Sequence, residues 1–396
     1  MKVRRQKAEG RSASRDRLLL SAFCLLLLSS SANAQSFQLF GYLTGRAAYV
    51  KAPPSWTTGG FGRFDAGAGA AGEHATRSTA VAQVGADWSP TTWLTAHGQV
   101  LARSEPSGTE GRRFGVVEAY ADLHSERWRL RGGYFFLGTS RENVDPLWTS
   151  PYTITYSALN SWIGQEVRPV GVDLQYSPSF YIMLGATAFR DNDTMGTLPA
   201  GRGWTFGNRL SVYDEAVAVP GGSTKPFTRD LDGKWGHSER VRVQIPERAM
   251  LQVTHLDNRA ELVERRGLVP WLTRFNIVGA QVGTTGPWTL AAEWMSGDTT
   301  VGFPGGTFTL DFDTVYLLGS YKHEHDRLSV RVERFSTSAD EDGRAWTVAW
   351  FRERNANLRA GIEYAHVTGE HPGAFGAGSS PETGGSMVTV ELRYKF

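Results

Sequence analysis

The sequence predicts an all-β fold: a transmembrane antiparallel β-barrel of about 16 strands, with 14 or 18 as the neighbouring even counts. Three observations predict it. Runs alternating between apolar and polar residues recur along almost the whole chain, and helix-period segments almost nowhere. The connectors between these runs alternate between short and long, as periplasmic turns and extracellular loops do in outer-membrane barrels. The chain opens with a secretory leader, and nothing after it approaches the roughly 18 uninterrupted apolar residues of a membrane helix, so any crossing is made by strands.

The leader comes first. Lys2, Arg4, Arg5, Lys7, Arg11, Arg15 and Arg17 precede an apolar run over 18–28, which gives way to small residues ending Ala32-Asn33-Ala34. This is a signal peptide over 1–34 with an A-x-A cleavage site, leaving one barrel domain over 35–396. The single cysteine, Cys24, lies inside the leader behind Phe23, where a lipoprotein signal needs a small residue, so the mature chain carries no disulfide and no catalytic thiol. The whole chain has 42 basic and 40 acidic residues. Without the leader the balance is 35 against 38, and the compositional case for a nucleic-acid partner disappears.

Strands follow at 37–50, 78–88, 92–103, 114–124, 128–137, 169–177 and 180–190 in the first half. The second half gives 237–245, 248–256, 274–283, 287–297, 311–323, 327–336, 344–353, 356–367 and 387–396. The weakest, 237–245, is required by parity: counted from the two ends, 180–190 and 248–256 run the same way, so one strand must lie between them. The last strand sets the pattern. Val388, Val390, Leu392, Tyr394 and Phe396 share one face, and Thr389, Glu391, Arg393 and Lys395 the other. Long polar connectors fall at 51–77, 104–113, 138–168, 191–236, 257–273, 298–310, 337–343 and 368–386. Trp88, Trp93, Trp128, Tyr176, Phe180 and Trp288 cluster at the short turns as an interfacial girdle would.

About 16 strands enclose an aqueous lumen, so function is read from the inward face. The alternation turns Arg46, Arg129, Arg131, Arg240, Arg242, Arg331, Arg359 and Arg393 inward, with Glu118, Asp122, Asp173, Glu293, Glu333, Glu363 and Glu391. This near balance of charge predicts mild selectivity at most. Arg129 with Arg131, and Arg240 with Arg242, either hand an anion along the wall or pair with Glu118, Asp122 and Asp173; pairing is the preferred expectation. The connector 138–168 carries Trp148, Tyr152, Tyr156, Leu159, Trp162 and Ile163, too apolar to stand in water. Folded into the lumen it narrows the pore and presents Arg141, Glu142, Asp145, Asn160, Trp162, Glu166 and Arg168; a subunit interface is the other place for it. The glycine-rich stretch 59–72 reads as a flexible first loop.

The segments "SALNSWIGQEVRPVGVDLQYSP", "DLDGKWGHSERVRVQIP" and "GPWTLAAEWMSGDT" resemble porin-like outer-membrane proteins of proteobacteria, a group related in architecture to general and phosphate-selective porins. The resemblance implies a Gram-negative outer-membrane location, with lipid and lipopolysaccharide as surroundings, and a homotrimer, since trimers are typical of such porins. It also makes Tyr394 and Phe396 similar to the signal that such barrels present to their assembly machinery. Phosphate selectivity is not carried over, because the mature chain is poor in lysine and its inward face mixes both signs.

Other chemistry finds little support. No G-x-S-x-G or H-E-x-x-H motif occurs, and His97 stands alone on its inward face. His323 and His325 share a face beside a short turn. "DNDT" (191–194), "DLDG" (230–233) and "DEDG" (340–343) have calcium-like spacing without the closing bidentate glutamate. Neither a metal nor another cofactor is expected. The sequence therefore implies a non-enzymatic porin, a passive diffusion channel for small hydrophilic solutes with mild charge selectivity. The alternative is a plugged or enzymatic barrel whose long loops bind an extracellular partner.

Overall fold

Sixteen antiparallel strands close on themselves in a simple up-and-down order in the computed structural model. It describes residues 36–69, 73–105, 111–226, 229–265, 268–283, 286–372, 379–380 and 383–396; the proposed leader lies outside them. The strands are β1 (Ser36–Lys51), β2 (His74–Thr91), β3 (Leu94–Arg103), β4 (Phe114–His124), β5 (Trp128–Tyr134), β6 (Val170–Ser179), β7 (Ile182–Arg190) and β8 (Gly236–Ile245). They continue as β9 (Ala249–Asp257), β10 (Trp271–Val282), β11 (Trp288–Phe303), β12 (Gly306–His323), β13 (Asp326–Thr337), β14 (Glu341–Glu353), β15 (Leu358–Gly369) and β16 (Gly385–Lys395). The strand at 236–245, expected from parity alone, pairs with β7 on one side and β9 on the other.

Closure is made by β16 against β1, from Tyr42↔Lys395 to Lys51↔Ser386. The two backbone bonds between Gly41 and Phe396, each 3.0 Å, extend that ladder to the last residue. No barrel edge is left open, which is the condition for strands to stand in hydrocarbon. The alternation sets the two faces as expected. Val390, Leu392 and Tyr394 are exposed on the outside, while Thr389, Glu391 and Arg393 are buried on the inside. At the short-turn end Trp93, Trp128, Phe180 and Trp288 are exposed, and Trp128 stacks on Tyr176 with centroids 4.3 Å apart.

Several boundaries differ from the sequence reading. The connectors at 298–310 and 337–343 are mostly strand: β11 and β12 pair out to Phe303↔Gly306, and β13 and β14 to Thr337↔Glu341. Polar, threonine-rich runs extend a ladder beyond the apolar band as readily as they form loops, since the pairing is made by backbone. "DEDG" accordingly supplies Glu341 and Asp342 to β14 rather than a calcium-like loop. Conversely, β5 stops at Tyr134, because Phe135, Phe136 and Leu137 turn into the interior and are buried there.

The interior is not a plain tube. Segments 52–69, 135–169 and 191–226 fold into it, carrying helices α1 (Ala158–Glu166) and α2 (Thr197–Arg202). Short backbone pairings join the three segments, Phe64 beside Phe206 and Tyr156 beside Gly207, with Phe206 N donating to Arg63 O at 2.7 Å. Trp162 then packs edge-on against Phe275 and Phe312 of the wall at 5.4 and 5.2 Å and against Trp204 at 6.0 Å. Each such contact contributes roughly 0.5–1.5 kcal/mol beyond the area it buries. The expectation of a flexible loop over 59–72 is thereby corrected for the described part: Phe64 is wholly buried and Arg63 almost so. Gly62 and Gly67 allow this, since a Cβ on either would lie 2.4 Å from the Pro53 carbonyl oxygen.

Candidate functional site

Most of the residues assigned inward by the alternation are buried, and the barrel sorts them into separate groups. One group anchors α1. Helix N-termini leave backbone N–H groups unpaired, and these attract carboxylates. Here Ser157 caps α1 with its side chain. The Ala158 N–H reaches Glu333 at 2.9 Å, Thr155 N–H reaches Glu363 at 2.9 Å, and Ser157 N–H reaches Glu142 at 2.8 Å. Asn160 bridges Glu142 and Glu293 at 3.1 and 3.0 Å. Arg331 lies among them, paired with Glu142 and with Glu333. Buried charge of this density stands only because each carboxylate is bonded to donors.

A second group lies on β1, β15 and β16. Glu391 accepts Arg46 at 2.8 Å, Arg359 at 3.0 Å and Arg393 at 3.2 Å, so three guanidiniums share one carboxylate. Arg393 also lies over the Tyr42 ring at 4.6 Å. Three of the four remaining arginines bind carboxylates. Arg129 and Arg131 both bind Asp122, and Arg240 binds both oxygens of Asp173 at 2.8 and 2.9 Å. Arg242 donates to Gln252 at 2.9 Å, and Glu118 accepts the Phe136 N–H at 2.8 Å.

The segment 138–168 lies against the inner wall rather than on the outer surface. Glu142, Asn160, Glu166 and Arg168 are fully buried, Trp162 almost so, and Asp145 stands 3.7 Å from Lys395. Arg168 donates to the carbonyls of Gly164, Ser211 and Val117 at 2.7–2.9 Å. Burial holds Arg141 below the ordinary arginine range and pushes the Glu166 carboxyl up to about 7. Two further inserted arginines were not singled out from sequence. Arg63 binds Trp204 O, Thr383 and Glu341 across the lumen, and Arg202 lies 4.1 Å over the Trp56 ring. The aromatic residues beside them, Trp56, Phe64, Trp204 and Phe206, were the available signal that these long connectors pack inside.

Two cavities remain along the wall formed by β1 to β4. The first, about 1220 Å³ including its mouth, opens toward the long-loop end beside Arg46, Arg77, Arg103 and Arg209. The second, about 1280 Å³ counted the same way, opens toward the short-turn end beside Asp87, His97, Gln99, Glu118 and Tyr120. A thin layer separates them. Gln83, which lines the first, is bonded to Tyr42 and donates to the carbonyl of Leu147 at 2.7 Å; Leu147 lines the second.

On the long-loop side, Asp193, Asp230 and Asp232 offer oxygens within 4.8 Å of one another, joining "DNDT" to "DLDG". Burial raises Asp193 to about 6, and the neighbouring aspartates add to it. Such a trio has the donor type of a hard-cation site.

No family model and no curated protein matches the chain. Solved structures do. The outer membrane channel DcaP of Acinetobacter baumannii is similar at a TM-score of 0.62 and 15% identity, over 93% of this chain and 99% of that one. An anion-selective porin from Comamonas acidovorans gives 0.58 and 14%, over 91% and 99%. The trimer form of OmpT, an outer membrane protein of Vibrio cholerae, gives 0.56 and 12%, over 92% and 100%. At these identities the likeness is one of fold, and over nearly their whole length these chains and this one share it: the fold is the 16-stranded barrel of outer-membrane porins.

Proposed function

We propose that this chain is a bacterial outer-membrane porin, passing small hydrophilic solutes passively along the β1–β4 wall. The observation that carries this reading is the pair of cavities, one open to each end and separated by the single layer Tyr42–Gln83–Leu147. The inserted segments set the size limit, with 138–168 as the constriction. Charge selectivity is mild, because the four arginines and two carboxylates of the long-loop cavity are offset by Asp87 and Glu118 in the other. The short turns face the periplasm and the long loops the cell exterior.

The outward faces of β2 and β3 carry Ala82, Ala86, Ala96, Gly98 and Ala102 around Val84 and Val100, a small-residue surface suited to close packing in a homotrimer. The remaining outward band meets lipid, the long loops meet lipopolysaccharide, and Tyr394 and Phe396 present the last strand to the assembly machinery.

Burial of the mid-height inward face favours a second reading, a plugged barrel whose loops bind a partner. Planar-bilayer recording of the refolded chain separates the two. Steady conductance with at most a modest shift of reversal potential supports the porin. A folded barrel that never conducts supports the plug.

A further inference from the structure

The short-turn cavity has a wall whose polar atoms lack partners. Gln99 is 1% exposed, yet neither its amide nitrogen nor its amide oxygen is bonded, among the described residues. Its neighbour two residues back on the same face, His97, is bonded through Nδ1 to Asp87 at 2.6 Å, and its Nε2 is also buried and unbonded. Across the ladder stand Tyr120 opposite His97 and Glu118 opposite Gln99. Native structures rarely leave three buried polar atoms unsatisfied in one place, and each such atom costs free energy that a bonded partner recovers.

The rings complete the description. Phe40, His97 and Tyr120 form a row, with centroids 6.2 Å and 4.6 Å apart, and Arg131 covers Tyr120 from the far side. The lid is Leu147. Its backbone and that of Trp148 are left-handed, at φ 61° and 54°, a conformation unfavourable for residues with a Cβ. The segment is therefore poised to move where it lines the same cavity as Gln99 and His97.

We propose that this cavity is a binding site for a neutral, hydroxyl-rich solute of the size of one sugar ring, which Leu147 yields to. This deepens the porin reading and rests on it. Donor and acceptor stand side by side on Gln99, with the unbonded Nε2 of His97 beside them and a carboxylate acceptor on Glu118. A hydroxyl group, both donor and acceptor, satisfies such a mixed set, whereas an anion meets Asp87 and Glu118, and a cation leaves the Gln99 amide hydrogens unpaired. The C–H faces of a sugar ring suit the aromatic row.

The test is equilibrium binding of glucose to the refolded full-length chain in detergent, by calorimetry, with gluconate and choline as charged probes. Saturable glucose binding stronger than that of either charged probe is expected. Gln99→Leu should weaken it about tenfold, the worth of a hydrogen-bonded pair, without lowering the melting temperature, because an apolar side chain removes the unsatisfied amide. Leu147→Gly should tighten it several-fold, since the lid no longer has to be displaced. Tighter binding of gluconate or choline, no saturation by any probe, or an unchanged affinity in Gln99→Leu each overturns the site. Because binding is read without current, a chain that binds glucose but never conducts overturns the porin reading instead and leaves the site standing.

Discussion

Asn160 on α1 donates its side-chain amide to Glu293 of β11 at 3.0 Å, and the same nitrogen reaches Glu142 of its own segment at 3.1 Å. One neutral donor thus stands between two buried carboxylates, one from the inserted segment and one from the barrel wall. With Ser157 N–H and Ala158 N–H on Glu142 and Glu333, it fixes where α1 begins and how close the segment lies to the wall.

Replacing Asn160 by Ala leaves Glu142 and Glu293 facing each other without that donor. The expected loss is roughly 1–3 kcal/mol of segment stability, with the barrel itself intact. Limited proteolysis should cut within 138–168 in the variant and not in the parent, while the folded-barrel mobility in gels stays the same. Equal resistance of the two proteins would mean that the backbone donors suffice.

Leu147 closes the layer between the cavities from an unfavourable backbone conformation. Leu147→Gly removes the side chain and relieves roughly 1 kcal/mol of backbone strain. Single-channel conductance should rise several-fold while the folded barrel is retained. Unchanged conductance would place the limiting barrier elsewhere.

Burial lifts the Glu166 carboxyl from 4.5 to about 7, although Trp162 and the Leu198 N–H bonded to it pull the other way. The folded chain therefore holds this proton more tightly than the unfolded chain. Its contribution is fully present below about pH 4.5 and is lost as pH rises toward 7, at up to about 1.4 kcal/mol per pH unit. Melting followed by tryptophan fluorescence should show this slope for the α1–α2 contact, and Glu166→Gln should flatten it. A slope of opposite sign would refute the assignment.

Phe396 closes the β1 ladder at Gly41 by two backbone bonds, and its ring lies where a Cβ on Gly41 would stand, 2.6 Å away. Removing Phe396, or replacing Gly41 by Val, should lower the yield of heat-resistant barrel on refolding in detergent. Loss of Phe396 should lower the yield in cells further than it does in detergent if the residue also serves recognition. Equal losses in the two settings would leave only the closing role.

Much of this was legible one residue at a time. The period of two assigned Arg46, Glu293, Arg331 and Glu391 to the inside because a strand side chain has only two directions to point, and burial of one face fixes which. The composition of 138–168 placed that segment against something apolar for the same reason. Partners were not legible. Asn160 and Glu293 are 133 positions apart, and no local spacing says that α1 will reach β11. Nor did the polar look of 52–69 and 191–226 reveal their burial, since Trp56, Phe64, Trp204 and Phe206 are few in each segment and form a core only when three segments meet.

The sequence by itself determined the barrel, a strand count near 16 and the alternation of its charged and apolar faces, because pleat alternation and backbone hydrogen-bonding demand are local rules that every strand must obey. Only the tertiary structure decided how much of the lumen is filled, which arginines stay paired and where the two cavities meet. Those depend on contacts between segments far apart in the chain, made by packing and by satisfying buried charge inside a closed wall.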